Sequence, residues 1–368
     1  MQVRNHTRRD FLAAAACSLA GTALSYPPSM LGEDLPATDA SPYETPYKFG
    51  KLVLSASTDP SAFDSRSVDG PFVFHANGRF YMTYMGYDGT GYQTGLASSE
   101  NLVDWKKLGC ILHRDPKSSI TRYNVAMNWI VRENQLKALG NLKKIHGRYL
   151  GAYHAYPSAG YEAGPAVIGL CWSKDLMHWE LTEPVLRPND PNATAWEQGG
   201  LYKPCLVEDG GTYYLFYNAK TRNLPKAEGG GWHEQTGVAT STDLKTWKRY
   251  AKNPILQNGL RNSSWDDRFA SDPAVYRNGK QWAMFYYGFN FQGKARDLLA
   301  LGKDPFHFTK VAKIIIDVGQ HGSVDETFAH KPSLVYHQGS LYHFYCAVSG
   351  KWPHEVRGIS VTRSTPWT

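Results

Sequence analysis

The sequence predicts an all-β fold, a five-bladed β-propeller, and three observations carry that prediction. The first is composition. Aromatic residues make up 13% of the chain, and 34 glycines are spread along 368 residues rather than pooled in a linker, which favours strands joined by tight turns. The second is a hairpin unit, clearest in SWDDRFASDPAVYRNGKQWAMFYYG from Ser264. There Asp272-Pro273 and a short apolar run lead through a turn containing Asn278-Gly279 into an aromatic run. The third is recurrence: the unit returns along the chain, each time followed by a second motif ending in an aromatic ring.

Taken in order, residues 1–25 come first. Thr7-Arg8-Arg9-Asp10-Phe11-Leu12, an Ala-rich apolar run and Ala23-Leu24-Ser25 resemble a twin-arginine export signal, which implies a periplasmic or secreted protein. Residues 26–46, rich in Pro, Ser, Ala and Asp, read as an irregular lead-in to a catalytic domain over 47–368. Lys51–Ser57, KLVLSAS, reads as a lone strand.

The hairpin units start at Ser67, Thr121, Glu197, Ser264 and Ser323, the second carrying an insertion before Ile145. Four place a proline ahead of the first apolar run: Pro71, Pro204, Pro273 and Pro332. The second motif reads GLASSENLVDWKKL, GLCWSKDLMHWELT, GVATSTDLKTWKRY and a degenerate LLALGKDPFHFTKV. Its ring residues, Trp105, Trp179, Trp247, Phe308 and Trp367, are expected to pack between blades rather than bind ligand. Each copy supplies about four short strands, the size of a propeller blade. The last copy stops about one strand short, and the strand near Leu52 is placed to complete it and remove an exposed edge.

Composition also excludes. The formal net charge of +7 forms no Lys/Arg stripe, so no nucleic-acid partner is expected. No segment beyond the export signal is apolar enough to span a membrane. Cys110, Cys171, Cys205 and Cys346 lack CxxC spacing and read as buried thiols. No HxH or HExxH spacing marks a metal site, and no cofactor is required.

In a propeller the first strand of each blade lines the central channel, and the residues before it rim one mouth. Polar and ionisable residues recur at that phase: Asp69; Arg122, Asn124 and Asn128; Glu197 and Lys203; Asp266, Asp267 and Asp272; Asp325, Glu326, His330 and Lys331. Ring closure would make the fourth, fifth and first blades neighbours, so Asp69, Asp272 and Glu326 are expected to converge. Trp196 and Trp265 flank rim positions and are the candidates for stacking on a sugar face. Lys203, Lys331 and His330 are placed either to pair with the carboxylates or to bind an anionic sugar group. The glycine-rich stretch Glu228–His233 reads as a wall or lid.

The SxDLxxW elements, Ser173–Trp179 and Ser241–Trp247, the five hairpins, and an aspartate heading the first blade resemble the five-bladed glycosidase propellers, among them glycoside hydrolase families 43, 117, 32 and 130. The WMNDPNG opening of family 32 is absent. The resemblance, over residues 50–368, implies an oligosaccharide or polysaccharide substrate, a carboxylate trio, and in some members Ca²⁺ in the channel. On that footing Asp69 is expected as base, Glu326 as general acid with Glu197 its rival, and Asp272 as orienting acid. Lys203, Asp267, His330, Lys331, Trp196 and Trp265 are expected to contact substrate. Cleavage needs one protonated and one ionised carboxyl on opposite faces of the sugar, and inversion is the expected course. A phosphorylase, a non-catalytic sugar-binding propeller and a lyase are the alternatives.

Overall fold

Residues 39–222, 230–351 and 354–367 are described by the computed structural model. The expected export signal in 1–25, the lead-in up to residue 38 and part of the Glu228–His233 stretch lie outside the described residues. Among the described residues the chain is all-β. Its helical segments are two short 3₁₀ turns, Ser41–Tyr43 and Ala195–Glu197.

The hairpin units are antiparallel runs of strands. The first is Ser67–Ala76 (β2), Arg79–Tyr87 (β3), Tyr92–Ser99 (β4) and Lys106–Leu112 (β5), paired in that order. The next holds Ala126–Ile130 (β6), Arg148–Ala155 (β8), Val167–Ser173 (β9) and Glu180–Leu186 (β10), with the insertion's short strand Lys144–Ile145 (β7) against β8. Then come Gly200–Asp209 (β11), Thr212–Lys220 (β12), Glu234–Ser241 (β13) and Lys248–Arg249 (β14). Phe269–Asn278 (β15), Gln281–Phe289 (β16), Ala295–Gly302 (β17) and Phe308–Ile316 (β18) follow. The last run is Phe328–His337 (β19), Ser340–Ser349 (β20) and Val356–Arg363 (β21).

Tyr47–Lys48 (β1) pairs antiparallel with β21, Tyr47 opposite Arg363. The added strand therefore lies earlier and is shorter than the expected 51–57. Gly50, at φ +77°, kinks the chain just after it. Val53 and Leu54 then both donate to the Ile359 carbonyl, leaving a single bridge rather than a ladder.

The second motif is a turn with its own chemistry. Ser173 Oγ accepts the Leu176 N–H (2.9 Å), Asp175 Oδ1 accepts those of Met177 and His178 (2.9 Å each), and the Trp179 indole donates to the Leu176 carbonyl (2.9 Å). The same bonds recur around Leu102 and Leu244, and all three leucines have positive φ: +68°, +72° and +62°. Trp105 reaches across to Phe344 of β20, edge-on at 5.7 Å, and so packs the first run against the last.

Every innermost strand carries the same irregularity. Register shifts interrupt β2 between Asp69 and Phe72, β6 between Met127 and Trp129, β11 between Tyr202 and Cys205, β15 between Ser271 and Ala274, and β19 between His330 and Ser333. Proline is the cause in four of them, since it has no N–H to continue the ladder. The residue before it turns left-handed: Gly70 (+53°), Lys203 (+51°), Asp272 (+51°) and Lys331 (+71°). For the three non-glycine residues that conformation costs about 1–2 kcal/mol each. A bulge re-aims the side chain it carries, and here the side chains meet on the axis.

Below them the axis is filled. Arg132, 2% exposed, donates to the carbonyls of Val73 (2.5 Å) and Leu334 (2.6 Å). Its guanidinium lies 5.2–5.7 Å from the rings of Tyr276, Phe72 and Trp129. One cation thus ties β2, β15 and β19 together over aromatic faces.

Candidate active site

The bulges line a small, open-mouthed cavity whose walls are Gly70, Asn128, Lys203, Asp272 and Lys331, with the prolines and Trp129 behind them. A Cβ on Gly70 would stand 2.4 Å from Lys203 Nζ and 2.7 Å from Met85 Cε, so a larger residue here would displace the tips of both side chains.

Asp69, 1% exposed, is the hub beside the cavity. Lys331 Nζ (2.5 Å), Tyr161 OH (2.5 Å) and Arg357 Nη1 (3.1 Å) donate to its Oδ2, and the Gly70 N–H donates to Oδ1 (2.6 Å). Burial alone would raise its pKa, but Lys331, Arg357 and Lys203 outweigh burial and hold it well below the usual carboxylate range. Asp69 is therefore a permanent anion, and Lys331 and Arg357 are its counter-ions.

Tyr161 brings its neighbour with it. Glu162 is 3% exposed and sits at φ +58°, a strained setting for glutamate in a loop between β8 and β9. It accepts from Tyr92 OH (3.3 Å), whose ring packs edge-on against Tyr161 at 4.6 Å. Across the cavity, Asn218 Nδ2 donates to both Asp272 Oδ1 (2.7 Å) and Glu234 (3.4 Å). Trp232 Nε1 (2.9 Å) and Ser271 Oγ (3.1 Å) also donate to Glu234, which is fully buried. Such convergent donors suit an ionised carboxylate. Asp272, 5% exposed, leaves Oδ2 without a hydrogen bond.

Lys203 is 6% exposed. Its Nζ lies 3.6 Å from Met85 Sδ, and no carboxylate comes within ion-pair reach among the described residues. With its amide nitrogen turned to His154 Nδ1 (2.5 Å), Asn128 offers its oxygen to Lys203 at 3.3 Å. His330, 3% exposed, packs on Tyr287 (ring centroids 4.8 Å) with Nδ1 3.2 Å from the Cys346 carbonyl.

Of the residues expected from sequence, the structure thus brings together Asp69, Lys203, Asp272, Lys331 and His330. It does not bring Glu326. That carboxylate accepts from the backbones of Gly322 (2.7 Å) and Gly350 (3.0 Å) and pairs with the exposed His321. Those N–H groups lower its pKa, so it is poorly suited to hold a proton near neutrality. Asp267 is spent on the Asn262 (2.6 Å) and Phe291 (3.0 Å) backbones, and Trp265 is exposed on the same loop. Trp196 stacks on Tyr217 at 5.9 Å over Gly237, inside its own sheet.

Glu197 has a structural occupation. It closes a capping box with Thr194 and accepts from Tyr217 OH (2.5 Å) and Arg249 Nε (3.1 Å). The same clasp recurs. Asp64 holds Tyr84 (3.2 Å) and Lys107 (2.5 Å), Asp266 holds Tyr286 (3.0 Å) and Lys310 (2.5 Å), and Asp325 holds Tyr345 (2.8 Å) and Lys48 (2.6 Å). Acid and tyrosine are 20 residues apart every time.

Comparison with known proteins follows this geometry. The model of the glycosyl hydrolases family 32 N-terminal domain matches residues 140–313. A solved structure of BT0996, described as an RGII complex, superposes with a TM-score of 0.77 at 29% identity, over 89% of this protein and 94% of that one. The chain is thus similar to β-propeller glycoside hydrolases. This propeller is also 30% identical, over 48% of its length and 25% of the relative's, to a levanase of Bacillus subtilis (strain 168). A 1,2-beta-oligomannan phosphorylase of Thermoanaerobacter sp. (strain X514) is 24% identical over 48% of this chain and 50% of that protein. The chain thus spans half or less of the curated relatives it matches. Among the described residues the propeller has no group of three or more His, Cys, Asp or Glu arranged for a metal, and its four cysteines there are free thiols. No described helix is long and apolar enough to cross a membrane.

Lys203 gives the propeller a pH signature. Burial, then neighbouring Lys331, pulls its ammonium down to about 8 from the ordinary 10.5, against the opposing pull of Asp272, Asp69 and Glu162. The unfolded chain then binds more protons than the folded one between pH 8 and 10.5, so this group makes stability rise with pH across that window. Urea unfolding at pH 7, 8, 9 and 10 is expected to show the rise, and Lys203→Met to flatten it. An unchanged slope in the variant would refute the assignment.

Proposed function

We propose that the chain is a five-bladed propeller glycoside hydrolase, exported to the periplasm or beyond. It cleaves a plant, algal or microbial oligosaccharide with Glu162 and Glu234, above a floor held by Asp69 and Asp272. One observation carries this reading: four buried carboxyl groups from different repeats meet at one end of the innermost strands. The links are Asp69 to Tyr161, next to Glu162, and Asn218 to both Asp272 and Glu234.

Contacts between successive sheets support the ring. β4 meets β6 through Thr94 Oγ1 and the Met127 N–H (2.9 Å), and the Leu201 N–H donates to Ala166 O (2.9 Å). Glu234 pairs with Phe269, and Ala295 with Phe328. The Val73 N–H donates to Ser333 Oγ (2.8 Å), joining the last sheet to the first.

In this reading Glu162 gives its proton to the leaving oxygen as the glycosidic C–O bond breaks. Glu234 takes a proton from the water whose oxygen bonds to the anomeric carbon. Asp69, permanently ionised, faces the positive charge that develops on the sugar. Inversion is the expected course, and NMR of the first-formed product tests it.

The phosphorylase match and the cations Lys203, Lys331 and Arg357 favour a second reading, with phosphate in place of water. Against it, Lys331 and Arg357 are already paired, both with Asp69 and Arg357 also with Glu355. A reducing-sugar screen on furanosides, galactans and uronate-containing glycans, with and without phosphate, separates the two. Turnover is expected to be independent of phosphate. Sugar phosphate as the product would overturn the hydrolase.

A further inference from the structure

We propose that Asp297 and His343, a buried pair wedged between the fourth run of strands and the last, position Lys331 and through it Asp69, and that one proton shared between them keeps the pair uncharged. The inference deepens the glycosidase reading, in which Asp69 faces the charge that develops on the sugar.

Place in the repeat comes first. The residue just ahead of the second motif is Thr94 in the first run, Thr236 in the third, Asp297 in the fourth and Arg357 before the closing GISVTRSTPWT, while the second run has Ile168. Three of these polar residues hydrogen-bond to another run's innermost strand. Thr94 Oγ1 accepts the Met127 N–H (2.9 Å), Thr236 Oγ1 donates to the Ala270 carbonyl (3.0 Å), and Arg357 Nη1 donates to Asp69 (3.1 Å). Each target stands at or beside that strand's bulge. Asp297 holds the same station before β19. Ala295 pairs in parallel with Phe328, so two residues on Asp297 comes level with His330, next to the left-handed Lys331.

The contacts agree. Asp297 and His343 are both 0% exposed, and His343 Nε2 lies 3.2 Å from Asp297 Oδ2. The β19–β20 register skips from His330 to Ser333, which puts Lys331 outside the ladder. Its N–H faces the Asp297 carboxyl, as a looser contact than a full hydrogen bond. A left-handed lysine persists only where its surroundings hold it, and this one sends its ammonium to Asp69. Phe285 of β16 closes the other side, edge-on to His343 at 5.3 Å.

Charge decides the proton. Burial, then the neighbouring Asp272, pushes the Asp297 carboxyl well above the usual carboxylate range, against the Lys331 N–H. Burial also pushes His343 down to about 3 from the ordinary 6.5. A further titratable neighbour, Tyr345, is a phenol that burial and Asp325 keep neutral. The carboxyl therefore keeps its proton and donates it to Nε2 of a neutral imidazole. An ionised Asp297 would add an anion that competes with Asp69 for Lys331. An apolar pair would fill the same space without burying Asp297 Oδ1 and His343 Nδ1, neither of which makes a full hydrogen bond to a described residue.

The test uses the full chain. Crystal structures of Asp297→Leu and Asp297→Asn are read at Lys331. In the leucine variant, similar in size but without polar atoms, the lysine is expected to leave its left-handed conformation and its contact with Asp69. Asparagine keeps an acceptor for the Lys331 N–H and a donor for His343, and is expected to retain both. An unmoved Lys331 in Asp297→Leu overturns the positioning role. NMR of the unsubstituted chain labelled with ¹⁵N-histidine needs no variant to fold. The His343 imidazole, recognised by its contact with the Phe285 ring, is expected to stay neutral from pH 5 to pH 9. Uptake of charge near pH 6.5 overturns the shared proton and the proposal with it. On any glycan the chain cleaves, Asp297→Leu is expected to lower kcat about tenfold or more, because a small displacement of a catalytic charge is felt in the barrier. KM is expected to stay within about twofold, and Asp297→Asn to recover kcat to within about threefold. Equal loss in both variants overturns the neutral pair. If no glycan is cleaved, the glycosidase reading falls, and the crystal structures and the imidazole still decide the pair. Cleavage with Lys331 unmoved in Asp297→Leu does the reverse.

Discussion

Glu162→Gln is expected to lower kcat by about 10²–10⁴, the usual share of a general acid, which corresponds to about 3–5 kcal/mol of barrier. The substitution keeps the side chain's shape and its acceptor for Tyr92 but removes the transferable proton. Three features make this the largest expected effect on activity. Glu162 is buried, it sits in strained backbone, and it rides on the loop that Tyr161 fastens to Asp69. The pH profile separates catalysis from structure. In the unsubstituted chain activity is expected to fall as pH rises and the acid loses its proton, and this alkaline limb to vanish in Glu162→Gln. Glu234→Gln is expected to cost a similar factor and to remove the acidic limb instead. Glu326→Gln is expected to stay within twofold. Activity above a tenth in Glu162→Gln would move the role of acid to Asp272.

Glu197→Ala is expected to destabilise the fold by about 3–5 kcal/mol, the penalty for removing one partner of a buried ion pair. It takes from Arg249 one of its two carboxylates, Asp190 being the other, leaves the buried Tyr217 hydroxyl without its carboxylate acceptor, and opens the capping box with Thr194. Burial and then Glu197 push the Tyr217 phenol well above its ordinary pKa, so it stays a neutral donor at any working pH. Tyr217→Phe removes only the hydroxyl and is expected to cost about 1–2 kcal/mol. Urea unfolding measures both. At a temperature where the variant is folded, kcat is expected within twofold of the parent. A large loss of kcat without loss of stability would make Glu197 catalytic after all.

The clasp also explains what is legible in the sequence. The repeat, the hairpins and the Ser-x-Asp-Leu-x-x-Trp turns are readable because each depends on local chemistry: a proline, a glycine, a short polar side chain. The channel position is readable too, since Asp69, Lys203, Asp272 and Lys331 sit beside a proline or one residue from it. The misreading lies one step upstream. Asp266 and Glu197 precede the inner strand at a similar phase, and spacing alone makes them look like rim acids. A tyrosine 20 residues on marks each of them as a clasp, a pairing visible in the sequence itself. Glu326 is drawn in by its neighbour Asp325, which is itself a clasp acid. Glu162 carries no repeat signal. Gly160-Tyr161-Glu162-Ala163-Gly164 belongs to a loop, and its place over Asp69 is set by a hydrogen bond to a residue 92 positions away. Glu234 begins a strand whose outer-sheet pattern gives no hint that its first residue points inward.

The pairing of Tyr47–Lys48 with Thr362–Arg363 governs the order in which the molecule is made. Among the described residues Tyr47–Lys48 is the first strand in chain order, and its partner β21 is the last to be synthesised. Until then the final sheet shows a raw edge, open to any neighbouring chain. Loss of Val356–Arg363 would remove far more than one strand, because Tyr47–Lys48 would then have nothing to pair with.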